Sequence, residues 1–287
     1  MADALAAFLP AAALAHPAFG PLRPWLDKLR RDYDSPGIDA LNALGETAAL
    51  RPLTASGHPV RFCAPGASDG THYEQRIFDS GRIDTRPLNL HDLFNALTWL
   101  AFPHLKAALN ARHVAQLPID GDRRGRLRDL LTLIDEGGVI VACAEESLAE
   151  MEALIRGFRW QALFWGRRAQ VLHDMRFVLA GHAAYEKALS PYPGITCKAV
   201  FVATPRELIE APLTHLVPWL DVQTARYLTA LPGDATPRQM APLPVFGYPG
   251  WLAENNSAGF YADRRWFRPG RAASQPAGGR DTGGREA

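Results

Sequence analysis

Residues 86–110 read RPLNLHDLFNALTWLAFPHLKAALN, and the rest of the chain must be arranged around however this stretch folds. Asn89 is a good N-cap, and Asp92, three residues on, suits the positive end of a helix dipole. Leu90, Phe94, Leu97 and then Leu100 or Ala101 recur at helical spacing and keep one face apolar. Pro103 cannot continue the hydrogen-bond ladder, so the spacing predicts a kink or break there. Helix resumes at His104, runs to about Gln116 and is expected to stop at Pro118.

Upstream of this unit, residues 21–33 read as a short amphipathic helix, 38–50 as a second short helix, and residues 59–63 and 73–78 as strands. Downstream, residues 130–134 and 139–143 flank Asp135-Glu136-Gly137-Gly138, a pattern that predicts a hairpin. Helices are expected over 146–158 and 173–189, a strand over 196–203, and at least one helix within 205–230. Aromatic residues among Gly and Pro, from Pro244 to Trp251 and again at Phe260, Tyr261, Trp266 and Phe267, read as a strap packed over the core. Helices and short strands mix without βαβ alternation. The expected fold is therefore α+β: a mainly helical single globular domain over 1–269 with a small antiparallel sheet or hairpin. A Gly-, Ala- and Arg-rich tail over 270–287 is expected to be disordered.

Apolar residues make up 47% of the chain, and 31 basic against 30 acidic residues leave a net charge of +1. That balance supplies no general field for nucleic acid or an anionic membrane, so neither is expected as a partner. Cys63, Cys143 and Cys197 are too sparse for a disulfide framework or a thiolate zinc knuckle and read as reduced thiols. Residues 1–20 are rich in Ala and Leu, but no basic residue precedes the apolar run, Asp3 stands where a positive charge belongs and Pro10 interrupts the run. The expected location is cytoplasmic. No phosphate-binding Gly-rich loop of the P-loop or dinucleotide type is present, which removes several common enzyme classes.

Three polar clusters carry the candidate chemistry. His91 and Asn95 are four apart and share a helix face, with Asp92 one step round. Lys106, Asn110 and His113 form a stripe beyond Pro103. His182 and Glu186 are again four apart, a spacing that lets both approach one ion, and Gly181 before them leaves room for another backbone or a ligand.

Arg86 to Leu97, Trp99 to Pro103 and Lys106 to Asn110 resemble the central motif of a bacterial family catalogued as domain of unknown function 3025. The blocks LTLIDEG (131–137), GHAAYEK (181–187) and the strap over 247–268 resemble it too, in the same order. The resemblance covers most of the chain and implies no particular activity, ligand or fold.

Two readings follow. In the first, the protein is an enzyme, a metal-dependent or histidine-based hydrolase acting on a small molecule. His91, Asp92, His182 and Glu186 would gather as catalytic groups or as ligands of one divalent metal, with Arg86, Asn95, Lys106 and Asn110 binding substrate. A metal-free version uses His91 or His182 as general base. The His91-Asp92 dipeptide faintly resembles the metal phosphohydrolases named for it, with His72 and Asp135 as further ligands by order alone. In the second reading the protein is a non-catalytic binding or structural protein, and the same residues form a buried hydrogen-bond network. The separation of the His91 and His182 rings distinguishes a shared site from two unrelated ones.

Overall fold

A computed structural model describes residues 9–67, 70–121 and 123–270, so most of the expected C-terminal tail lies outside the described residues. The chain is α+β and mainly helical, with one continuous apolar core.

The central unit forms much as its sequence predicts. Helix α4 (Leu90–Ala101) begins where the Asn89 side chain accepts the Asp92 N–H at 3.0 Å. Such a cap contributes about 1 kcal/mol. The helix breaks at Phe102, whose φ of −132° and ψ of 57° are not helical. Helix α5 (Pro103–Asp120) then starts with Pro103 in its first turn, where the missing N–H costs nothing. It passes through Pro118 instead of stopping there, since one lost bond near the end of an 18-residue helix is outweighed by its packing.

Around this unit lie α1 (Arg23–Asp32), α2 (Ile38–Glu46), β1 (Arg61–Cys63), α3 (Tyr73–Ser80) and β2 (Arg82–Asp84). Strands β1 and β2 pair in parallel. Residues 73–78 were expected as strand but belong to α3. Tyr73 and Ile77 lie one turn apart, the His72 ring caps the Glu74 N–H at 3.2 Å, and Gly81 ends the helix at φ 70°.

The C-terminal half carries α6 (Arg126–Gly137), β3 (Gly138–Ala144), α7 (Glu145–Arg156), α8 (Arg168–Asp174), β4 (Met175–Leu179), α9 (His182–Ala188), β5 (Cys197–Thr204), α10 (Arg206–Glu210), α11 (Leu213–Ala230) and β6 (Ala241–Leu243). The main sheet runs β4-β3-β5-β6. Its central β3–β5 pair is parallel and both flanking pairs are antiparallel, so the sheet is mixed. β3 is buried along its whole length, as expected of a strand covered on both faces.

Two expectations fail here. The predicted hairpin is a helix running straight into a strand: Leu127, Leu130, Leu131 and Ile134 line one buried helical face, and Gly137-Gly138 is the helix-to-strand junction. The predicted helix over 173–189 is interrupted by β4, which exists because β3 offers a ladder to Met175–Leu179. The aromatic strap does pack onto the core. Tyr248 donates its hydroxyl to the Met175 carbonyl at 2.8 Å, and Trp160 donates its indole N–H to the Arg268 carbonyl at 2.8 Å. Among the described residues no helix is long and apolar enough to cross a membrane.

Gly181 sets where α9 begins. A side chain there would place Cβ 2.4 Å from the Gly138 nitrogen and 2.6 Å from the Glu136 carbonyl, both backbone atoms. The Gly181 N–H bonds to the Gly138 carbonyl at 2.9 Å, so the chain crosses the α6–β3 junction in direct contact. Gly181→Ala is therefore expected to cost about 3 kcal/mol in chemical denaturation, because two backbone segments must separate. A loss below about 0.5 kcal/mol would show that the crossing yields freely.

Candidate active site

The crossing at Gly181 brings α9 against α4 and α6, and with it the two histidines singled out by the sequence. The Nε2 atoms of His91 and His182 lie 3.2 Å apart, and the rings meet edge to face with centroids 4.5 Å apart. Their meeting point borders a cleft of about 470 Å3, whose walls include Glu74, Asn95, His113 and Asp135, with Arg86 and Arg124 also on its lining.

His182 is buried, with its Nδ1 3.7 Å from Asp135 Oδ2 and no direct hydrogen bond on that nitrogen. Burial pushes its imidazole down to about 4, outweighing the opposing pull of Asp135, so the ring is neutral near pH 7. His91 is more open, its side chain 42% exposed, and its Nδ1 stands 3.9 Å from Glu186 Oε2.

Behind the histidines, Lys106 extends from α5, with its side chain 5% exposed. It pairs with Asp135 Oδ1 and donates to Asn95 Oδ1 at 2.8 Å. Burial alone would raise the Asp135 carboxyl, but the Lys106 ammonium, aided by His182, holds it below the usual carboxylate range. A smaller chamber of about 30 Å3 adjoins the cleft and is lined by Asn95, Lys106, Asn110, His113 and Asp135 among others. Asn110 donates to the Glu74 carbonyl at 2.9 Å and to the Glu74 carboxyl at 2.8 Å. Burial raises that carboxyl, although the Asn110 bond works against the rise. His113 is buried with Nδ1 unpartnered, and burial lowers its imidazole to about 4.

The other expected members stand differently. Asp92 faces Arg86, taking its Nε and Nη2 at 2.8 Å each and its backbone N–H at 2.8 Å. Burial raises this carboxyl and the Arg86 bonds more than cancel the rise, so Asp92 anchors the segment preceding α4 while remaining on the cleft lining. Glu186 lies on the Nδ1 side of His91, away from the nitrogen that meets His182. His72 caps α3 with Nδ1 and meets Arg128 through Nε2 at 2.9 Å, so the arrangement of the His-Asp phosphohydrolases is not reproduced. Of the substrate-binding candidates, Arg86 and Asn95 line the cleft, while Lys106 and Asn110 act from the smaller chamber.

Two ring nitrogens 3.2 Å apart would suit one ion with bonds of about 2.1 Å. With Asp92 bound to Arg86 and Glu186 on the opposite ring nitrogen, no third ligand among the described residues converges on that point. Among the described residues no group of three or more His, Cys, Asp or Glu side chains is placed to hold a metal. The set of His91, Asp92, His182 and Glu186 is thus two contacting histidines, with Asp92 held by Arg86 on the cleft lining and Glu186 beside the far ring nitrogen of His91. Glu74 and Asp135 join the site instead. Glu74 was hidden in a segment read as strand, while Asp135, in a segment read as a turn, was named only by its order after His91-Asp92. Asp135 stands four residues after Leu131 on the helical face, a spacing that could have exposed it.

Residues 60–271 match the family model described as "Protein of unknown function (DUF3025)". The chain belongs to the DUF3025 family. The match takes in His91, His182, Asp135 and Lys106, so the whole cleft is built from the DUF3025 region. No curated protein and no solved structure matches this DUF3025 chain.

Proposed function

We propose that the cleft is the active site of a hydrolase acting on a small polar molecule, with His91 as general base and His182 as its hydrogen-bond partner. The contact between the two Nε2 atoms, 3.2 Å apart at the cleft, carries this reading. A neutral imidazole donates from one nitrogen and accepts at the other. His182 turns Nδ1 toward the Asp135 carboxylate, which favours the proton there and leaves Nε2 as the acceptor. His91 then donates its Nε2–H to His182 and holds a lone pair on Nδ1. A proton taken from water at Nδ1 produces an imidazolium flanked by Glu186 and by the accepting nitrogen of His182. Arg86 and Asn95 stand on the cleft wall, where they can meet substrate oxygens.

The donor arrangement favours the metal-free version of the chemistry, since among the described residues two histidine nitrogens converge without a third ligand. A second reading keeps the same groups without catalysis: the buried Lys106–Asp135–Asn95 network would serve only to fix α4, α5 and α6.

The two readings diverge on His91→Ala. In a panel of 4-nitrophenyl esters, phosphates and glycosides, the native chain is expected to hydrolyse at least one class above the buffer rate. His91→Ala should lose 10²- to 10⁴-fold of that rate and keep its melting temperature, because the ring is substantially exposed. Equal rates for the two chains, or no hydrolysis across the panel by the native one, would leave the network reading in its place.

A further inference from the structure

A second hollow, of about 370 Å3, opens beside the start of α5 and shares no lining residue with the cleft. Its walls are mostly apolar, with Trp25, Leu50, Leu100, Leu213 and Val217 among them. The volume falls within the range of small-ligand pockets, about 300–1,000 Å3. A polar couple, His104 on α5 and Asp221 on α11, interrupts the apolar wall, and Thr214 stands at the exposed rim.

Asp221 is 1% exposed and fully engaged. Its Oδ1 accepts the Leu105 N–H at 2.7 Å, while Oδ2 accepts the His104 N–H at 3.0 Å and meets the His104 ring Nδ1 at 2.8 Å. Both oxygens take backbone donors, so the carboxylate is the acceptor throughout and Nδ1 of His104 is the ring nitrogen that carries the proton. The remaining nitrogen, Nε2, then bears a lone pair on the ring edge turned away from Asp221. The His104 side chain is 47% exposed, so that edge is open to a ligand.

We propose that this hollow binds a small apolar molecule bearing a single hydroxyl, of the phenol class, whose O–H donates to His104 Nε2. Three features select this head group. An anionic head would set a second negative charge across one ring from Asp221. An ammonium head brings three N–H donors where His104 Nε2 accepts one, and the apolar side chains around that ring offer the others nothing. A hydroxyl satisfies the one available lone pair and lets the apolar body of the ligand cover the walls. The Trp25 indole adds a flat face for an aromatic ring. This site is independent of the hydrolase reading.

Calorimetric titration of the full chain with 4-propylphenol and with its methyl ether, 4-propylanisole, tests the proposal. The two probes have nearly the same apolar body, but only the phenol donates a hydrogen bond. The phenol is expected to bind about tenfold more tightly, the ratio set by one net hydrogen bond. His104→Leu should bind the two alike. Thr214→Trp places a bulky ring at the exposed rim and should weaken both, with the fold intact. Equal affinities in the native chain, no binding of the phenol, or a preference that persists in His104→Leu would each overturn it.

Discussion

Lys106→Met is expected to lower the unfolding free energy by about 3–5 kcal/mol, in the range found when one partner of a buried ion pair is removed. The size follows from what is left behind. Lys106 is the ammonium that meets Asp135, and without it the carboxylate faces the neutral Nδ1 edge of His182 at 3.7 Å and no paired cation. Asn95 loses a donor as well. The Asp135 side chain is 25% exposed to the cleft, so water offsets part of the penalty and the lower end of the range is expected. Urea denaturation of Lys106→Met, Asp135→Asn and the double variant separates the terms. If an uncompensated carboxylate is the cause, the double variant should be more stable than Lys106→Met alone. A loss under about 1 kcal/mol in Lys106→Met would place the pair in the class of screened surface bridges instead.

That network also marks where sequence reading succeeds and where it stops. Residues 86–110 were legible because their signals are local: Asn89 caps within its own turn, the apolar positions repeat every three or four residues, and Pro103 breaks the ladder wherever it stands. The second start signal of α5 is not local at all. Its first N–H groups are satisfied by Asp221, more than a hundred residues away, and no window over 103–110 contains that information. β4 was lost for the same reason. MRFVL is as compatible with helix as with strand, and the exposed ladder of β3 decides between them. Gly137-Gly138 misled in another way, since two glycines after an Asp satisfy a hairpin turn and a helix exit equally well.

The candidate site divides along the same line. Pairing His182 with Glu186, and His91 with Asn95, needs only the helical period, whereas the His91–His182 contact depends on α9 crossing the α6–β3 junction at Gly181. Asp92 shows the limit from the other side. A carboxylate beside a histidine reads as chemistry, yet its nearest cation, Arg86, was six residues upstream all along. Charge partners within one turn of a helix start were the stronger signal.

Acid is expected to destabilise this protein steeply before most of its carboxylates protonate. His113 and His182 are both held near 4 by burial, against about 6.5 in an unfolded chain. The folded value is depressed, so between those limits the unfolded chain binds more protons and stability falls as pH falls. The stability associated with neutral burial is complete above about pH 6.5 and is lost as pH drops toward about 4. Each histidine contributes a slope approaching 1.4 kcal/mol per pH unit, so the pair can remove several kcal/mol across the window. Glu74 and Asp221 act in the opposite sense, since burial raises both carboxyls and their protonation favours the fold. Their effect is confined to the acidic end of the window, and the fall should be steepest between about pH 6.5 and 5. Replacing one titrating ring isolates the cause: His113→Phe keeps a ring in the same space and removes the protonation. Urea midpoints measured across this pH range should then fall less steeply than in the native chain, by about one proton's worth of slope. Parallel curves for the two proteins would mean that His113 is already able to charge inside the fold. In that case its unpartnered Nδ1 is reached by water, and the chamber shared with Lys106 and Asp135 is wetter than its burial implies.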